Sequence, residues 1–208
     1  MLSAIWLTAI AAYLAFLAWY HNWRGPLAAD EVARYLAIAA RSPAWDARQL
    51  EVIRDFLERD DGREFLMLNL IRVAPGPVAD PDSGEPKEAM EMLGAYTGPF
   101  MRALLRRAGH PALLARKVGG YMDAWNVEPD PGWTVSGFVR YRSRRDLVEL
   151  ATAPEFAAIH RHKQVALPTT LSFPSRAMPG LMIGPKIWVA LLLALVTALA
   201  SCAVLLFS

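Results

Sequence analysis

Two of the four histidines stand in FAAIHRHKQVAL, residues 156–167: His160 and His162, with Arg161 between them and Lys163 after. An H-x-H pair converges on one ion from a strand, where side chains alternate with a period of two. On an α-helix neighbouring residues turn by about 100°, so these two rings would point about 200° apart. Pro154 ahead and the spacing Phe156, Ile159, Lys163, Leu167 mark a helix. No Cys, Asp or Glu stands beside them at zinc-ligand spacing, so no metal site is expected. His160 lies near the apolar stripe and is a candidate for ligand contact or acid–base chemistry. His162 is expected to face solvent.

Asn69 is the one amide in the apolar run FLMLNLIRV, 65–73. If the run is a strand, Phe65, Met67, Asn69 and Ile71 share one face, and Leu66, Leu68, Leu70 and Arg72 the other. The leucine face is expected to receive helices, leaving Asn69 toward an interior. A buried amide without partners costs about 1–3 kcal/mol, so Asn69 should bond to protein or to a ligand. Tyr141 is a further candidate contact. In GGYMDAWNVEPDPG, 119–132, Asp123 and Trp125 suit a lid over a pocket, with a surface loop or dimer arm as the other reading. Arg140, Arg142, Arg144 and Arg145 read as a solvated helix start or a contact for acidic lipid rather than a substrate site. G-x-S-x-G, P-loop, C-x-x-C and H-E-x-x-H motifs are absent, so no motif compels catalysis and no cofactor is expected.

The elements that must hold these residues follow from pattern. Residues 27–60 read as a helical hairpin with apolar positions Val32, Tyr35, Leu36 and Ala39, then Leu50, Ile53 and Leu57, broken at Ser42-Pro43. Asp30 and Asp46 are the expected helix starts. After the 65–73 strand, APGPVADPDSGEP (74–86) reads as a mobile loop, and 87–108 as a helix interrupted near Gly98-Pro99. Strands are expected at 111–118, 133–141 and 169–174. Ser143 should cap a helix through Leu150, and Pro154 should begin another. The order is β-α-β-β-α-β, an α+β, ferredoxin-like arrangement over 64–176.

Both ends are apolar. Residues 1–20 and 187–208 carry no charged side chain, and about 20 apolar residues suffice to cross a bilayer. Two transmembrane helices, 1–23 and 186–208, are therefore expected. No Lys or Arg precedes the first, and its end, LAWYHNWRG, is bulky rather than small-x-small, so an uncleaved anchor fits better than a signal peptide. Trp19, Tyr20, Trp23 and Trp188 sit at the helix ends as interfacial aromatics do. Arg24, Arg34, Arg41, Arg176 and Lys186 flank both helices on the central side. That bias places the central domain in the cytoplasm of a two-pass inner-membrane protein. The lone Cys202 excludes an intramolecular disulfide. A net charge of +2 without a basic, aromatic-interleaved stripe gives no support for nucleic-acid binding. Small residues four apart, Ala4-Thr8-Ala12 and Ala190-Ala194-Ala198-Cys202, permit close helix packing.

The stretch from FLMLNLIRV to VRYRSRRDLVELATAPEFAAIHRHKQVALPTTLSFP resembles the dimeric α/β-barrel superfamily, nearest to its uncharacterised bacterial branch. The matching features are the strand with its embedded Asn, GPFMRALLRRAGHPALLAR leading into the next strand, and VRYRSR followed by a PEF helix. The resemblance implies a homodimer. Other members include cofactor-independent monooxygenases, haem enzymes and isomerases, so it carries no single activity. Two functions follow as expectations. One is a membrane-tethered barrel that binds a small, lipophilic organic ligand through Asn69, Tyr141 and His160 and acts on it without a metal. The other is a non-catalytic accessory or scaffold subunit of a membrane protein assembly.

Overall fold

A computed structural model describes residues 1–41, 45–178 and 183–207; the Ser42-Pro43 break expected in the hairpin lies outside them. The elements are α1 (Leu2–Tyr20), α2 (Ala29–Ala39), α3 (Ala47–Glu58), β1 (Phe65–Arg72), β2 (Pro77–Ala79), β3 (Pro86–Glu88) and α4 (Ala89–Arg106). They continue with β4 (His110–Arg116), β5 (Val135–Tyr141), α5 (Arg144–Ala151), α6 (Pro154–Ala166), β6 (Thr169–Ser175) and α7 (Pro185–Phe207). The chain divides into two units, one of α1 with α7, the other Arg24–Ala177.

In the first unit, α1 and α7 are both long and apolar enough to cross a membrane. Lys186, at the start of α7, meets the later half of α1: its carbonyl accepts from Tyr13 Oη at 2.9 Å, and its Nζ lies 5.8 Å from the Tyr20 ring. The helices therefore run antiparallel, as two passes require. The less exposed positions of the pair include Ile5, Ala9 and Tyr13 of α1 and Leu193 and the buried Thr197 of α7. Of the two small-residue rows, Ala4, Thr8, Ala12, Ala194, Ala198 and Cys202 stay exposed and Ala190 is half-buried.

The second unit is α+β, built on one antiparallel sheet of order β4-β5-β1-β6. Asp46 caps α3 as expected, accepting from Gln49 N at 2.8 Å, while Asp30 falls one residue inside α2, whose N-cap is Ala28. Ser143 caps α5 through Asp146 N, and Pro154 opens α6. Two expectations fail locally. Residues 74–86 are not a plain loop: β2 and β3 pair as a ribbon, its turn held by Asp80 accepting from Asp82 N and by Gly84 at φ +76°. Helix α4 also runs unbroken through Pro99. Met92, Tyr96, Phe100 and Leu104 fall four apart along it on the packed face, and that burial outweighs the one backbone bond Pro99 forfeits.

The largest correction concerns the sheet faces. Phe65 and Met67 pack with Leu104, Phe100, Leu150 and Phe156, and Ile71 with Met92 and Leu167. The mixed face, not the leucine face, receives α4, α5 and α6. The opposite face carries Leu66, Leu68 and Leu70, paired across the sheet with Arg140, Phe138 and Ser136 and with Ser175, Phe173 and Leu171. No helix of this unit covers it among the described residues. Leu113, Leu171 and Phe173 are close to half exposed there.

The helical hairpin closes a second core of Val32, Tyr35, Leu36 and Leu57 against Val148 of α5. The arginines expected to be solvated tie these layers together instead. Arg145 pairs with Glu31, Arg144 with Asp60, Arg142 with Asp146 and Arg140 with Glu64. The side chains of Arg140 and Arg145 are only 5% and 4% exposed, so each needs that carboxylate.

Candidate functional site

Between the sheet and helices α4 and α6 lies a cavity of about 530 Å³. The sheet supplies Met67, Asn69, Gly137 and Tyr141; α4 supplies Tyr96, Thr97 and Phe100; α6 supplies Phe156 and Lys163. Its volume falls within the span typical of small-molecule sites, and its wall is mostly apolar with sparse polar groups. Gly137 stands opposite Asn69 in the register, and a Cβ there would meet Leu114 Cδ2 at 2.6 Å, so the glycine lets β4 and β5 close at the cavity wall. Leu114, 64% exposed, lies on the rim and opens the cavity toward solvent.

Asn69 is satisfied inside the protein. Its Nδ2 donates to the Met67 carbonyl at 3.0 Å, and its Oδ1 accepts from Ser172 Oγ at 2.8 Å. Tyr141 stacks on Phe65 with ring centroids 5.3 Å apart and planes 9° apart. Neither the Tyr141 nor the Tyr96 hydroxyl has a hydrogen-bond partner among the described residues. Burial pushes both phenols far above their ordinary range, and the charge of Tyr96 would raise Tyr141 further. Both are neutral donors at physiological pH.

Lys163 was legible only as a member of the α6 stripe, yet among the described residues it is the one cationic group lining the cavity. Burial lowers its pKa, and its Nζ sits 5.5 Å from the Tyr96 ring centroid. His160 packs by its ring against Tyr96 and Phe156, with centroids 6.0 and 5.5 Å away. It is not part of the cavity lining. Its Nδ1 is buried without a partner, and burial, then the charge of Lys163, lowers its pKa. Asp123 and Trp125 line a separate open groove with Tyr121 and Val127. The structure thus brings Asn69 and Tyr141 together, sets His160 one layer behind, and leaves Asp123 and Trp125 elsewhere.

His162 does not face solvent. Its side chain is 13% exposed and Nε2 lies 3.1 Å from Asp82 Oδ2. With Asp80 it forms a group whose ligand atoms lie within 4.8 Å. Lys87 already holds Asp80 at 2.6 Å, and Arg161 holds Asp82. The hydrogen bond from Lys87 keeps the Asp80 carboxyl down at about 2. The group is an ion-pair cluster that fastens α6 to the β2–β3 ribbon.

No protein-family description matches the sequence, and no curated protein does. Among solved structures the chain is similar to RPA0582 of Rhodopseudomonas palustris, a protein of unknown function. The identity is 22% and the TM-score 0.52, over 62% of this chain and 94% of that one. The methylated form of RPA0582 gives a TM-score of 0.53 at the same identity, over 64% and 93%. The likeness is one of fold.

Proposed function

We propose that this chain is a two-pass membrane protein whose central domain is a dimeric α/β-barrel that binds a small, lipophilic organic ligand. The observation that carries the reading is the apolar cavity between the sheet and α4/α6. The strand order β4-β5-β1-β6, with β1 antiparallel to both neighbours, supports the ferredoxin-like topology. The uncovered sheet face, apolar at Leu68, Phe138, Leu171 and Phe173, fits a second copy laid face to face. The apolar α1 and α7, with Arg24, Arg176 and Lys186 on the central side, support a bilayer anchor and a cytoplasmic domain. Among the described residues no nucleophile in the lining is hydrogen-bonded to a base, so binding is the activity proposed.

Native mass spectrometry of the full-length chain from mild detergent tests this. A dimer carrying a small-molecule adduct, lost in Thr97→Trp, is the expected result. An adduct-free dimer overturns the ligand reading. A stoichiometric foreign protein with an empty cavity favours the accessory-subunit reading instead, for which Met122 and Trp125, 97% and 72% exposed, offer a contact.

A further inference from the structure

The polar capacity of the cavity is one-sided. Asn69 accepts from Ser172 Oγ and donates to the Met67 carbonyl, and Thr97 Oγ1 donates to the Gly94 carbonyl at 3.5 Å. The remaining polar residues of the lining are Lys163, Tyr96 and Tyr141. Lys163 can only donate, and each tyrosine hydroxyl is neutral and able to donate. Among the described residues no Asp or Glu lines the cavity. Of the three lysines in Arg24–Ala177, Lys87 holds Asp80 and Lys117 holds Asp130, while Lys163 has no carboxylate among the described residues. Its one charge-compensating neighbour is the face of the Tyr96 ring. Lys163 is partly buried beside an apolar wall, where its charge is best offset by a carboxylate, and the protein supplies none among the described residues.

We infer that the ligand is an acid, an apolar body bearing one carboxylate, whose oxygens pair with Lys163 Nζ and accept from the two tyrosine hydroxyls. This deepens the ligand-binding reading and rests on it. The carboxylate supplies the missing charge, and the phenyl-lined remainder, Phe100 and Phe156 among it, takes the apolar body. The acceptor also gives the two tyrosines of the lining a partner that the described protein does not supply.

The test is calorimetric titration of the full chain in lipid nanodiscs with 2-naphthoate and with its neutral counterpart 2-naphthamide, empty nanodiscs subtracted. Naphthoate is expected to bind at least about tenfold tighter than the amide. Lys163→Met should abolish that preference, bringing naphthoate affinity down to that of the amide in the same variant, and Lys163→Arg should keep most of it. Equal affinity of the two probes for the unmodified protein overturns the acid assignment and leaves the cavity reading standing. Absence of binding by both overturns the two together. A preference that survives in a folded Lys163→Met protein also overturns the assignment, and the Lys163→Arg variant guards against loss through misfolding.

Discussion

The Arg145 guanidinium meets the Glu31 carboxylate side-on, with Nε 3.0 Å from Oε1 and Nη2 2.7 Å from Oε2. The same arginine donates to the carbonyls of Gly25 and Pro26, so one side chain of α5 holds the first residues of this unit and the first turn of α2. Glu31→Ala leaves that charge buried with two carbonyls alone. A loss of about 3 kcal/mol is expected, roughly 10 °C in the melting temperature of the full chain. Thermal melts of the two proteins check it, and an unchanged midpoint contradicts the tie.

The same pair gives stability a pH dependence. Arg145, chiefly by hydrogen bonding, holds the Glu31 carboxyl at about 2, against 4.5 when free. A depressed carboxyl stabilises the fold fully above its unfolded value and progressively less as pH falls through the folded one. The difference in melting temperature between the native chain and Glu31→Gln should therefore be constant above pH 5 and shrink between about pH 4.5 and 2. A gap that widens on acidification contradicts the assignment.

Gly109 stands where α4 turns into β4, and a Cβ there would lie 2.3 Å from Leu104 Cδ1 and 2.9 Å from the Arg140 carbonyl oxygen. Leu104 is 1% exposed, so it has little room to retreat. Gly109→Ala should cost about 1–3 kcal/mol by overpacking, and Leu104→Ala about 2–5 kcal/mol by leaving a void. The double variant should be more stable than the sum of the two losses predicts, because each change relieves part of the other. Strict additivity in denaturant titrations would show that the backbone contact alone matters.

Tyr141→Phe removes a hydroxyl that has no partner within the described protein and keeps the ring stacked on Phe65. Its melting temperature should move by no more than about 2 °C, while 2-naphthoate affinity falls roughly threefold to tenfold, the worth of one hydrogen bond. A large drop in stability with unchanged affinity would make the hydroxyl a structural group.

Phe173→Glu places a charge on the open sheet face at a position 46% exposed, so the fold itself should tolerate it. If two copies join through this face as proposed, static light scattering of the detergent-solubilised chains is expected to show a dimer for the unmodified protein and a monomer for the variant. A persistent dimer would move the interface to another surface.

Local signals were legible in the sequence where a residue acts on its own neighbours. Asp46 and Ser143 cap their helices and Pro154 opens its own because those effects span three residues. Which sheet face receives the helices was not legible. Alternation separates Met67 from Leu68 with certainty, but both faces of β1 are apolar, and the choice is made by residues up to a hundred positions away. Gly98-Pro99 concealed that Tyr96 and Phe100 share one helix face with Leu104. Lys163 carried a readable signal, a lysine at a stripe position between Ile159 and Leu167. Arg140, Arg144 and Arg145 of VRYRSRR misled because their carboxylates come from Glu64, Asp60 and Glu31, which no local pattern connects to them, whereas Arg142 pairs with Asp146 one turn on.

Strand β1 lies between β5 and β6, with Leu66 opposite Ser175 and Arg72 opposite Thr169. Its second edge thus waits for almost the last segment of the unit to be synthesised. Until β6 arrives, the backbone of Leu68 and Leu70 offers unpaired donors and acceptors on an apolar strand, an invitation to wrong pairing. Such distant pairing is slow to form, since chain closure precedes any gain from the contact. Productive folding of this chain on the ribosome is consequently a matter of timing: the sheet completes only in the interval just before the final apolar helix emerges.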